Sequence, residues 1–364
     1  KQPLSESPAL SPPHAAAQQH GPRPLPLFLD LVAAQTAHDP DARAAVLRGL
    51  RLYQQADRPA PPAPMPVVAR AGRASLRDYD GAGAPVVFVP SLINPPRILD
   101  LAEDNSLLRW LSSQGVRPLL IDWGDPSRIL HARGEDVTEH ITSYVMPLLD
   151  QLGEPVHLVG YCLGGTMALA AAQLRPALSL TLIAAPWRFS GFGDRARADI
   201  AQLWAVARPA AERLGLVPME VLQSGFWRLD PARTVAKYEQ FGRLEPGSAA
   251  ARAFVALEDW ANDGAPLPFA AGRELFEDFV AADVTGRGQW RVADTPIGPA
   301  RLTAPAHEFV SLNDRIVPAA SSAHLPHRHA LGLGHVGMIV GGRAREQLWE
   351  PLARILSHPQ RSGY

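Results

Sequence analysis

VGYCLGGTMA, Val159 to Ala168, holds the single cysteine of a 364-residue chain. VHLVG (Val156 to Gly160) before it is a short apolar run of strand character, and Gly165 to Arg175 after it is an Ala-rich run at helical spacing. Gly160-Tyr161-Cys162-Leu163-Gly164-Gly165 is G-x-C-x-G-G, the strand-turn-helix pattern of a nucleophile elbow with Cys in place of Ser. Its glycines let strand and helix approach without Cβ clashes, and the unpaired N–H groups of a helix start favour negative charge on sulfur. A buried inert thiol is the common state of a lone cysteine. Here strand, glycine spacing and helix start coincide, so Cys162 is read as a presented nucleophile.

The same alternation extends outward. PVVFVP (Pro85 to Pro90) and VRPLLIDW (Val116 to Trp123) read as strands, with ILDLAEDNSLLRWLSSQG (Ile98 to Gly115) between them at helical spacing. Val137, Ile141, Tyr144, Val145, Leu148, Leu149 and Leu152 line one face of a further helix, which Pro147 should kink or restart. LSLTLIAAP (Leu178 to Pro186) is again a strand. Strands alternating with helices predict an α/β fold, with a mainly parallel sheet covered by helices on both faces. From Trp187 to about Trp290 the strand rhythm stops, and a segment carrying Trp204, Phe226, Trp227, Phe241, Phe254, Trp260, Phe269 and Phe276 reads as an inserted helical cap with an aromatic core. The predicted organisation is therefore 1–66, a Pro-rich tail and a helical extension over Pro22 to Gln55 packed on the main domain; 67–186, the first part of the core; 187–295, the cap; and 296–364, the second part of the core.

An elbow nucleophile needs a base and an orienting acid, which follow it in the order acid, then base. APAHEFVSLNDRIVP (Ala304 to Pro318) reads as a strand, His307 to Leu312, whose polar turn presents Asp314. HALGLGHVGMIVG (His329 to Gly341) presents His335 on a loop beside Gly334 and Gly337. Both follow strand ends, where ligands gather in open α/β sheets. The competitors fit less well. Asp122 also ends a strand but precedes Cys162; His140 should face solvent on its helix; His157 and His307 lie within strands, where a hydrogen-bonded core role is expected. His131, His324, His327 and His329 lack the combination of loop position and glycine neighbours.

Composition excludes several other functions. Lys plus Arg number 35 against 36 Asp plus Glu, for a formal net charge of -1, and no basic run could track a phosphate backbone, so nucleic acid is not an expected partner. One cysteine forms no internal disulfide, and no Cys/His spacing suggests a metal site. GLGHVG is too weak a glycine pattern for a dinucleotide fold. No cofactor is expected. The opening stretch lacks the apolar block of a signal peptide, and no apolar run approaches the roughly 18 residues of a membrane span, so a cytoplasmic chain is expected.

VPSLINPPRILDL (Val89 to Leu101), LLIDWGDP (Leu119 to Pro126), GYCLGGT (Gly160 to Thr166), NDRIVP (Asn313 to Pro318) and GHVGMIVGGRA (Gly334 to Ala344) together resemble the polyhydroxyalkanoate synthases, over about Val86 to Pro351. The length is similar to that of the short members of the family. The resemblance implies an α/β-hydrolase fold and a cysteine acyltransferase that polymerises 3-hydroxyacyl-CoA, with Cys162 as nucleophile, His335 as base and Asp314 as its partner. It also implies a homodimer or a partner subunit, association with polymer granules, and a substrate contact at Trp260 in LEDWANDGAPLP. The backbone N–H groups of Leu163 and of Leu92, the latter placed to within a residue, are the expected oxyanion donors. Two departures lie beside the site: Arg315 follows Asp314 where the family commonly has His, and Pro95, Pro96 and Arg97 follow Ile93-Asn94 where a basic residue and aromatics are usual. Three functions stay open on the sequence: the acyltransferase, a cysteine thioesterase or ester hydrolase on the same fold, and a non-catalytic granule-associated homologue.

Overall fold

The computed structural model describes residues 20–129 and 132–357; the opening stretch before residue 20 and His131 lie outside them. Eight strands form one sheet: β1 (Val67–Ala71), β2 (Ala74–Asp78), β3 (Pro85–Val89), β4 (Arg117–Asp122), β5 (His157–Tyr161), β6 (Ser179–Ile183), β7 (Ala306–Ser311) and β8 (His327–Leu331), in the order β1-β2-β4-β3-β5-β6-β7-β8. β4, β3, β5, β6, β7 and β8 run parallel, while β2 pairs antiparallel with β4 and with β1. Every residue of β3, β5, β6 and β7 is buried, because helices cover both faces; this is why those strands read as continuous apolar runs rather than alternations. The sheet order, the crossovers and the elbow after β5 make this an α/β-hydrolase fold.

The β1–β2 hairpin was not read from the sequence, although VVARAGRASLRD carries a two-residue Gly72-Arg73 turn, with Gly72 at φ +54°. Ile98 to Gly115 is also less helical than its spacing predicts. A 3-10 turn at Pro96–Leu99 leads into a small hairpin of Asp100–Ala102 with Asn105–Ser106, and only α3 (Leu107–Ser113) is α-helix. Local polar bonds compete with helix here: Ser106 Oγ accepts from the Arg109 N–H at 3.1 Å, and the Asp100 carboxylate accepts from Arg109 Nε at 2.7 Å and from Tyr79 Oη at 2.9 Å.

The helical run before β5 is continuous but changes register. Val137–His140 is α-helical, Ile141–Val145 is a π-helical segment, and Met146–Leu152 is α-helical again. Pro147 has no N–H to return to the preceding turn, which accounts for the widening just before it. His140 does not face solvent, contrary to the expectation. It is fully buried between the rings of Trp123 and Tyr144, with Nδ1 2.6 Å from the Asp136 carbonyl and Nε2 2.8 Å from Arg73 Nη2. Spacing explains this: three residues after Val137 and four before Tyr144, it belongs to the apolar face despite its polarity.

Burial pushes His140 down to about 4, and Arg73 pushes the same way against the Asp136 carbonyl and the Glu135 and Glu139 carboxylates. The unfolded imidazole titrates near 6.5, so its contribution is present above that pH and is lost as pH falls toward 4, on the order of 3 kcal/mol in full. Thermal melts should therefore show a smaller loss of stability between pH 6.5 and 4 in His140→Gln than in the wild type; parallel curves would refute the assignment.

α4 (Leu163–Leu174) directly follows the elbow after β5. Between β6 and β7 the chain forms α5 (Asp194–Leu214), α6 (Met219–Leu229), α7 (Pro231–Phe241) and α8 (Ala249–Ala261). Aromatics of the insertion pack in pairs, Trp204 of α5 on Phe276 of the π-helical segment Glu274–Ala281 at 4.7 Å and Phe241 of α7 on Phe254 of α8 at 4.4 Å. α1 (Leu25–Gln35) and α2 (Pro40–Gln55) pack on these helices rather than on the sheet: Phe28, Val32, Leu50 and Tyr53 share a cluster with Trp227, Tyr238 and Phe241. At their tightest point a Cβ on Gly49 would lie 1.8 Å from the Tyr238 carbonyl oxygen. The extension thus packs on the inserted helices.

Candidate active site

Cys162 caps the N-terminus of α4 with φ 55° and ψ -132°, a conformation that costs a non-glycine residue about 1–3 kcal/mol. The bend is held from both sides. Its N–H donates to the Ile183 carbonyl at 2.9 Å, and its carbonyl accepts from the Gly165 N–H at 2.8 Å. The glycines are required by contact: an added Cβ would lie 2.4 Å from Gly165 Cα at Gly160, 2.0 Å from the Val89 oxygen at Gly164, and 2.3 Å from Ala185 Cβ at Gly165. Backbone cannot retract as a flexible side chain can. Gly164→Ala is therefore expected to cost at least about 3 kcal/mol in urea denaturation, and a loss below about 1 kcal/mol would contradict this close approach.

Asp314 follows β7 and is buried. Its Oδ1 accepts from the N–H groups of Ile316 at 2.7 Å and Val317 at 2.8 Å, while Oδ2 lies 2.6 Å from His335 Nδ1. His335, on the loop after β8, is buried as well. Burial opposes charge on the ring, yet the Asp314 carboxylate, hydrogen-bonded to Nδ1, and then the nearby Cys162 raise it to about 10. The half-buried Cys162 lines one cavity with the imidazole that Asp314 holds. The structure brings these three residues together. A row of this kind can pass a proton between sulfur and a bound acceptor through the ring.

A cavity of about 290 Å³ opens on Cys162 and His335 and is roofed by the inserted helices through Phe226, Trp227, Leu257 and Trp260. Trp260 lines it, with Nε1 donating to the Pro95 carbonyl at 2.8 Å. The side chains of Leu163 and Leu92 pack into the core instead, so these residues can reach the cavity only through their backbone. Leu163 N–H belongs to the first residue of α4. Next to Leu92, the Ile93 N–H already donates to Ser91 Oγ at 3.0 Å, and the Pro90 carbonyl accepts from Trp123 Nε1 at 3.2 Å. Sequence reasoning missed the polar wall of the cavity: Glu258, buried, accepts from Lys237 Nζ at 2.6 Å and from Tyr238 Oη at 2.8 Å. Lys237 and Glu258 sit on different helices, so no local motif marked them.

The competing candidates lie elsewhere. Asp122 pairs with Arg77 at 3.1 Å, on the far side of β3 from β5. His157 Nδ1 meets Ser179 Oγ at 2.7 Å, and His307 Nδ1 meets His329 Nε2 at 3.3 Å. The two departures form cross-links: Arg315 pairs with Asp230 at 3.2 Å, and Arg97 with Asp263 at 3.0 Å, each joining a loop of the core to the inserted helices. Among the described residues there is no group of three or more His, Cys, Asp or Glu that could hold a metal ion, and no helix long and apolar enough to cross a membrane.

No family model matches the chain. It is 28% identical over 293 residues to the poly(3-hydroxyalkanoate) polymerase subunit PhaC of Haloferax mediterranei, covering 77% of this chain and 60% of that protein. It is 25% identical over 351 residues to the protein of the same name from Haloarcula marismortui, covering 89% and 72%, and 28% over 297 residues to that of Synechocystis sp., covering 76% and 78%. The chain thus spans less than two thirds of the length of the Haloferax relative. Among solved structures, an α/β-hydrolase fold protein from Nakamurella multipartita aligns with a TM-score of 0.43 at 20% identity, over 79% of this chain and 98% of its own. An esterase from Thermogutta terrifontis aligns with a TM-score of 0.43 at 18%, over 81% and 98%.

Proposed function

We propose that this chain, a relative of the polyhydroxyalkanoate synthases, is an acyltransferase that forms a thioester on Cys162 from a 3-hydroxyacyl-CoA and passes the acyl group to a hydroxyl. The observation that carries the reading is the 2.6 Å contact of His335 with Asp314 beside a strained, half-buried cysteine that lines the same cavity. In the first step the Cys162 sulfur attacks the thioester carbonyl. The carbonyl electrons move onto oxygen, facing the N–H groups of Leu163 and Leu92, and on collapse the bond to the CoA sulfur breaks. That sulfur leaves with the proton held by the His335 imidazolium. In the second step a hydroxyl gives its proton to His335 as its oxygen attacks the acyl carbon, and Cys162 departs as thiolate.

Sulfur suits this sequence of steps. Exchange of one thioester for another keeps the acyl group activated, whereas a serine ester would lose that activation before the acceptor arrived. Trp260 supplies an apolar wall for the acyl chain. Purified protein incubated with 3-hydroxybutyryl-CoA, with CoA release and polymer followed separately, tests the proposal: CoA with polymer is expected. CoA with free acid would reassign the site to a hydrolase, and neither product would leave a non-catalytic homologue. The relatives are named as subunits, so the assay is repeated across a range of chain concentrations; specific activity that rises with concentration would identify self-association.

A further inference from the structure

Tyr161, the last residue of β5 and the neighbour of Cys162, makes two separate contacts with His335. Its ring stacks on the imidazole with centroids 5.2 Å apart and planes at 29°, and its hydroxyl donates to the His335 backbone carbonyl at 3.2 Å. The residue is buried and lines the cavity. Burial first, and then the charges of Cys162 and Asp314, hold its phenol well above the usual range, so it stays a neutral donor and does not compete for the proton. A leucine would keep this strand position apolar. It would offer neither a π face to the ring nor a partner to the carbonyl.

We propose that Tyr161 is a positioning residue for His335: its ring, stacked on the imidazole, supports the imidazolium that balances a thiolate on Cys162. A cation over an aromatic face is stabilised by the ring quadrupole, and the effect grows when water is excluded. The ionisable groups facing His335 are Asp314 from the turn after β7, Cys162 from the elbow and Tyr161 itself. Asp314 acts on one ring nitrogen and Tyr161 on the ring face, so the two constraints are independent. The inference rests on His335 being the base for Cys162.

The test reads the thiol directly. The rate of Cys162 alkylation by iodoacetamide is followed from pH 5 to 10 in the wild type and in Tyr161→Phe, Tyr161→Leu, Tyr161→Met and His335→Gln, with folding checked by circular dichroism. Tyr161→Phe keeps the π face and is expected to keep the wild-type pH profile, with a loss of CoA-release kcat of no more than about threefold. Tyr161→Leu and Tyr161→Met remove the face, and the acid limb of alkylation should move up by about 0.5 to 1 in pH, with a several-fold slower reaction at pH 7. The sign follows from the ion pair: a less stable imidazolium means that the thiolate forms only at higher pH. The leucine and methionine variants cover one another if one fails to fold. A wild-type profile left unmoved by the folded variants, or moved as far by phenylalanine, overturns the positioning role alone. A wild-type profile that His335→Gln does not alter overturns the base assignment, and this role with it.

Discussion

Replacing Cys162 by alanine is expected to lower CoA release from 3-hydroxybutyryl-CoA by on the order of 10⁴-fold or more, because no other group at the elbow can carry the acyl chain. The cavity, the His335–Asp314 contact and the elbow glycines would all remain, so substrate should still bind. The variant should also fold, since alanine occupies the same volume less one sulfur and meets the same φ of 55°. Cys162→Ser is the more informative companion. It keeps a nucleophile on the same bend, yet its oxygen must be deprotonated by an imidazole tuned to pair with a thiolate, and the ester formed is poorly activated toward an alcohol. Turnover should fall by about 10³-fold or more, with any acyl-enzyme persisting long enough to be seen by mass spectrometry. Full turnover in Cys162→Ala would remove both the transferase and the hydrolase readings.

Much of this architecture was legible because its parallel strands are buried on both faces and so read as apolar runs: PVVFVP, VHLVG and LSLTLIAAP correspond to β3, β5 and β6 within a few residues. The sharp turn at Cys162 was legible for a related reason, since only glycine fits where α4 meets Val89 and Ala185. Features made by tertiary contact were hidden. The sequence from Ile98 to Gly115 has helical spacing, but side chains of Asp100 and Ser106 redirect its first half into a hairpin. His140 was misplaced by its residue type even though its spacing pointed inward. The roof of the cavity joins α6, α7 and α8, whose mutual placement no local pattern fixes, and the Lys237–Glu258 pair is formed only there. Arg315 and Arg97 looked like losses from the family pattern; in the fold each has an acidic partner on the inserted helices.

Asp314→Asn should leave the site's shape and remove its chemistry. The asparagine oxygen can still accept from the N–H groups of Ile316 and Val317, which hold Oδ1 now. The amide nitrogen would then face His335 Nδ1 as a donor, and the ring would keep its single proton on Nε2, the wrong nitrogen for accepting one from Cys162 or from an alcohol. A tautomer error of this kind costs about 10⁴-fold in kcat in serine proteases, and a loss of 10³- to 10⁴-fold is expected here. Stability gives a second readout with a definite sign. In the wild type burial works against the imidazolium, but the Asp314 carboxylate and Cys162 raise His335 to about 10, against about 6.5 when unfolded. Its stabilising contribution is therefore complete below about pH 6.5 and lost as pH rises toward 10. With asparagine at 314 the largest raising influence is gone, so melting temperatures measured from pH 6 to 10 should decline less steeply in the variant. Wild-type activity in Asp314→Asn, or identical pH slopes in the two proteins, would mean that the 2.6 Å contact neither orients nor charges the histidine.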